Sequence, residues 1–169
     1  TRIYLQPMLE QLPESKLPPA WNSFDLAAFS KSKSLWDYQQ AALQNALKAL
    51  WKYYNEPELS EAERKAAYYR WYEEAGLEED LDIPLDDSTA PRRAISRLLK
   101  DYYIWEERPQ ARGKQPVEVI PFVNFINRMA FWMATGSGKT LVLVKLVEIL
   151  HQLIRMGEIP ARDILILTY

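Results

Sequence analysis

The 169-residue chain predicts an α/β fold, largely helical by residue count: parallel strands joined by a crossover helix, interrupted by a mainly α-helical insertion. Three observations lead there. First, an apolar run at Arg128–Met133, a glycine turn and a helical run from Leu141 to Met156 succeed one another as strand, turn and helix, and a second apolar run, Ile164-Leu165-Ile166-Leu167, follows. Such a strand, helix and strand should close a right-handed parallel crossover. Second, residues 35–54 repeat apolar side chains at helical spacing. Third, residues 55–120 contain two more helical patterns, each with its own start signal.

Residues 1–34 mix Pro7, Pro13, Pro18 and Pro19 with short apolar pieces, which predicts an extended or loosely helical lead-in rather than a long helix. In the following helix Leu43, Ala46, Leu47, Leu50 and Tyr54 form the apolar stripe, and Gln44, Lys48 and Lys52 lie opposite. Gln39 extends the apolar stripe backwards, four positions before Leu43, so its amide points inward and needs a partner. That partner is either neighbouring backbone or the edge of a bound base. Pro57 breaks the chain, Ser60 and Glu63 form a capping box, and the helix they open stops at Gly76. Leu77–Asp87, with six acidic residues and Pro84, reads as a solvated loop. Pro91 is a first-turn residue for a helix running to about Glu107, basic at its start through Arg92, Arg93, Arg97 and Lys100. The acidic loop and the basic helix read as mutual charge balance. Val117–Ile120 is a short strand before Pro121.

The aromatics Tyr68, Tyr69, Trp71, Tyr102, Tyr103 and Trp105, interleaved with Arg64, Lys65 and Arg70, offer two readings: stacking on single-stranded bases, or packing of the helices that carry them. Packing is favoured, because aromatic rings carry large apolar area. The single histidine, His151, reads as a partly exposed helix residue beside the polar stripe Lys145, Glu148, Gln152 and Arg155. The rest of that helix is apolar nearly all round.

Composition sets bounds. A net charge of −2 gives no overall basic character, so any contact with nucleic acid has to use a local patch. There is no cysteine, which excludes disulfides and thiolate metal sites and fits a cytoplasmic protein. No segment is long and apolar enough to span a bilayer, and the N-terminus lacks a signal-peptide profile. The chain begins at Thr1 and ends within an apolar strand pattern, so it is expected to be a fragment of a longer protein.

The chemistry concentrates in Met133-Ala134-Thr135-Gly136-Ser137-Gly138-Lys139-Thr140. A Gly-x-Gly-Lys-Thr turn entering a helix is suited to holding phosphate: glycines let backbone N–H groups approach the oxygens closely and supply unusual dihedrals. Lys139 adds a point charge for the terminal phosphates, the Thr140 hydroxyl a ligand for Mg2+, and the helix N-terminus a partial positive charge. The run from Thr135 to Thr140 therefore reads as a nucleotide-binding P-loop (Walker A), with Met133 where the full pattern has its first glycine.

This loop resembles that of superfamily 2 helicases and translocases, most closely the motor subunits of type III, and less so type I, restriction enzymes. The resemblance extends to Leu35-Trp36-Asp37-Tyr38-Gln39-Gln40-Ala41-Ala42 and to Ile164–Thr168, and covers residues 35–54 and 128–169. It implies a RecA-like lobe, ATP and Mg2+ as cofactors, and helicase or translocase activity. It also implies that Gln39 reads adenine, that Thr168 touches the nucleic-acid backbone, and that Lys139 and Thr140 serve catalysis. The implied partners are nucleic acid, with double-stranded DNA foremost, and a methyltransferase or nuclease subunit of a restriction or defence enzyme. The family's acidic metal-binding box, second lobe and arginine finger have no counterpart in the chain. Gln39 and Gly136 lie 97 residues apart (136 − 39), where the family uses a short link. The organisation expected is a lead-in over 1–34, the adenine-motif helix over 35–54, an insertion over 55–120, and the P-loop strand, helix and next strand over 121–169. Two readings of other classes stand beside this one: a P-loop small-molecule kinase or other NTPase, and an interaction module whose loop is vestigial.

Overall fold

The computed structural model describes residues 3–104, 118–130 and 133–161. The chain divides into two units, one formed by Thr1–Glu58 with Met129–Tyr169, the other by Leu59–Arg128.

In the first unit α1 (Leu5–Gln11) and α2 (Pro19–Asn22) precede a small hairpin, β1 (Ala28–Ser30) with β2 (Lys33–Ser34) antiparallel to it. The long helices α3 (Asp37–Tyr54) and α6 (Lys139–Met156) pack on one another. Their seam is the core: Leu43, Leu47, Val142, Ile149 and Leu153, joined by Leu17, Trp21, Leu35 and Ile159. Leu43, Ile149 and Leu153 have no exposed surface, and burial of each contributes about 1.5–3 kcal/mol. Gly157, at φ 77°, ends α6 in the left-handed region, where a glycine cap lets the chain turn away.

The lead-in is more structured than its prolines predict. Trp21 on α2 is 2% exposed and its Nε1–H donates to Glu158 Oε2 at 2.6 Å, fixing α2 beside the end of α6. α1 packs on α3 and covers the face where Lys48 sits. Lys48, expected on the solvent side, is buried, and its Nζ donates to the Leu9 carbonyl at 3.2 Å. Its aliphatic stem lies under α1 while the ammonium keeps one polar partner. An amphipathic pattern identifies the most apolar face but does not reveal a second element lying on the opposite one.

The second unit is built on α4 (Glu61–Glu74) and α5 (Ala90–Tyr102) with a two-stranded antiparallel sheet, β3 (Asp82–Pro84) on β4 (Val119–Pro121). The capping box at the start of α4 forms in full: Ser60 N–H donates to Glu63 Oε2 at 2.9 Å and Glu63 N–H to Ser60 Oγ at 3.4 Å. The acidic segment is not simply a solvated loop, because β3 lies within it. Leu81, Ile83 and Leu85 alternate with exposed or polar residues, a period of two hidden by the surrounding carboxylates. Tyr68, Tyr69 and Tyr72 are buried, and the Tyr69 hydroxyl donates to Glu78 O at 2.8 Å while accepting from Leu81 N–H at 3.1 Å. These rings are core, and the same holds for Tyr103. Burial pushes the Tyr72 hydroxyl up to about 12. Arg92 pairs with Asp86 at 2.6 Å and Arg93 donates to Asp87 O, so the basic helix start and the acidic segment meet. Trp105 lies outside the described residues.

The parallel strands are not seen among the described residues, whose two sheets are both antiparallel pairs. Of the strand expected over Arg128–Met133, residues 128–130 and 133 are irregular, although Met133 packs against the core. A parallel strand needs a crossover neighbour to take its N–H and C=O groups. The neighbour expected at Ile164–Leu167 lies outside the described residues. No helix among the described residues is long and apolar enough to cross a membrane.

Candidate nucleotide site

The turn before α6 is set by two glycines. Gly136 at φ 79° and Gly138 at φ 77° occupy the left-handed region, and Ser137 N–H closes the turn onto Ala134 O at 3.2 Å. With that bond made, the N–H groups of Gly136, Gly138, Lys139 and Thr140 have no acceptor among the described residues. They stand at the positive end of an 18-residue helix. The turn is exposed from Thr135 to Gly136, as are Lys139 and Thr140, and no carboxylate among the described residues pairs with Lys139. Free donors, positive φ at both glycines and an unpaired ammonium are together the chemical complement of a phosphate group. The Thr140 hydroxyl is available beside them for a hard cation.

Gln39 reaches the same turn from α3. It is 3% exposed, its Oε1 accepts from Trp36 N–H at 2.9 Å, and its Nε2 donates to Ser137 O at 2.8 Å. The first bond caps the start of α3; the second ties that helix to the glycine turn across 98 residues of sequence. A Cβ built on Gly138 would stand 2.5 Å from Gln39 Nε2, so a side chain here would displace the glutamine amide as well as strain the dihedral angle. The inward-pointing amide thus has two backbone partners. It retains one N–H and one Oε1 lone pair, the donor and acceptor that a purine edge requires.

Tyr38 was not among the sequence-derived site residues. Its hydroxyl donates to the same Ser137 O at 2.8 Å, and its ring stands edge-on to Trp36 with centroids 6.0 Å apart. The available signal was its adjacency to Gln39 at the start of a helix. Ser137 contributes its carbonyl rather than its side chain, whose buried Oγ has no partner. Thr168 lies outside the described residues, and His151 is exposed on α6, away from the turn by three helical turns of sequence.

The family model described as type III restriction enzyme, res subunit, matches residues 32–159. The matched span includes Gln39 and the whole glycine turn. No curated protein and no solved structure matches the chain.

Proposed function

The chain belongs to the type III restriction enzyme res subunit family, a helicase-like ATPase family, and on that premise we propose that it forms part of an ATP-driven helicase or translocase motor acting on double-stranded DNA. The reading rests on one observation above others: the N–H groups of Gly136, Gly138, Lys139 and Thr140, which have no acceptor among the described residues, stand beside the Lys139 ammonium on the same turn that Gln39 touches.

ATP with Mg2+ supplies the phosphoanhydride bond whose hydrolysis drives such a motor. The backbone from Gly136 to Thr140 holds phosphate oxygens, and Thr135 and Ser137 complete the turn. Lys139 balances charge that develops on the terminal phosphate, and Thr140 offers its hydroxyl to Mg2+. Gln39 orients adenine through the N–H and lone pair left after its two backbone bonds. Thr168 follows as the contact to the nucleic-acid backbone. Residues 55–120 are an insertion in the RecA-like lobe, and a nuclease or methyltransferase partner belongs to the same restriction or defence reading.

DNA-stimulated ATP hydrolysis by the full-length protein tests this. Stimulation should be present in the native protein and absent from Lys139→Ala. Hydrolysis indifferent to DNA, or phosphate transfer to a small metabolite without nucleic acid, would reject the motor and favour a small-molecule NTPase or kinase.

A further inference from the structure

Ser137 O accepts two hydrogen bonds, from Tyr38 Oη and from Gln39 Nε2, each at 2.8 Å. A carbonyl oxygen has two lone pairs, so this acceptor is filled entirely by α3. The peptide that joins Ser137 to Gly138 is planar and trans, which sets its N–H opposite its C=O. Holding the oxygen on α3 therefore turns the Gly138 N–H away from that helix. Of the two donors, Gln39 is buried and already engaged with Trp36 N–H, whereas Tyr38 is 46% exposed and contacts the turn through its hydroxyl. The Trp36 ring stands edge-on beside the Tyr38 ring.

We propose that Tyr38 is a positioning residue for the phosphate cradle: its hydroxyl fixes the Ser137–Gly138 peptide plane so that the Gly138 N–H is aimed before any anion arrives. The inference rests on reading residues 136–140 as a phosphate site, and adds to it a role that the base-reading assignment of Gln39 does not contain. Preorganised donors bind an anion without first having to be turned, so loss of the hydroxyl weakens binding by the worth of about one neutral hydrogen bond, roughly three- to tenfold.

The test uses the full chain, native and Tyr38→Phe, titrated by calorimetry with Mg·ATP and separately with inorganic tripolyphosphate plus Mg2+, which has the phosphates and no base. Both affinities should fall by the same three- to tenfold factor, while the melting temperature falls by no more than about 2–4 °C, the worth of one exposed hydrogen bond. The amide signal of Gly138 in 15N-labelled protein should shift less on adding tripolyphosphate than it does in the native chain. Unchanged affinity overturns the proposal, and so does a loss confined to ATP, which would make Tyr38 a contact to the base. Should the native chain bind neither probe, the phosphate-site reading itself falls and the positioning role with it. Binding by the native chain with an indifferent Tyr38→Phe removes only the latter.

Discussion

Gly138→Ala separates the two reasons for a glycine at the head of α6. An alanine there would hold φ near 77°, which costs about 1–2 kcal/mol for a residue with a Cβ. Its Cβ would also overlap Gln39 Nε2 at 2.5 Å. Moving the glutamine aside gives up its bond to Ser137 O and strains the bond to Trp36 N–H, each worth about 1 kcal/mol. The expected destabilisation is therefore about 2–4 kcal/mol, the sum of those parts. Gly136→Ala is the matched control: φ is 79° and nothing lies within 4 Å of the new Cβ, so only the dihedral part, about 1–2 kcal/mol, should appear. Equilibrium urea unfolding reads both, and a cycle with Gln39→Ala isolates the overlap. With the glutamine shortened, Gly138→Ala should approach the Gly136→Ala value, leaving a coupling of about 1–2 kcal/mol. Equal effects at the two glycines, or simple additivity with Gln39→Ala, would refute the close approach of Gln39 to this turn.

Trp21→Phe removes the donor to Glu158 while keeping most of the ring volume, and should lower stability by about 1.5–3 kcal/mol in thermal or urea unfolding, since the acceptor is a carboxylate. Ser60→Ala should cost about 1 kcal/mol by loss of the α4 cap, visible as reduced helicity and a lower unfolding midpoint. The Ser60 hydroxyl, and then its N–H, hold the Glu63 carboxyl below its ordinary 4.5, so the contribution of this cap is present above that value and is lost as pH falls through the lowered one. Hydrogen exchange at the first turn of α4 should rise accordingly in acid and stay level in Glu63→Gln. Tyr72 runs the other way: burial raises it from 10.0 to about 12, so its stabilising effect is complete below pH 10.0 and is lost as pH climbs to about 12. Absorbance at the phenolate band should show a late-titrating component that Tyr72→Phe removes.

Much of this molecule was legible locally. The caps at Ser60 and Gly157, the glycine turn and the helices themselves follow from short-range rules, because each needs only residues within four or five positions. What escaped was set at long range. Lys48 reads as surface until α1 is placed on it, and the prolines of residues 1–34 conceal that Trp21 seals the end of α6. The inward face of Gln39 was legible from its place in the apolar stripe, but not its bond to a carbonyl 98 residues away. β3 was hidden by composition, since six acidic residues outweighed an alternation of only three apolar ones. The antiparallel pairing of β3 with β4 brings together segments separated by a helix, which no local pattern announces.

The segment that shares its pattern with the wider family starts at residue 32, yet Trp21 stands eleven positions earlier (32 − 21). Trimming the protein to that shared boundary would leave the Glu158 carboxylate without its indole and wet the flank of Leu153 and Ile149. The earliest part of the chain is thus not packaging to be cut away for convenience: whoever shortens this protein for study should keep everything from α1 onward.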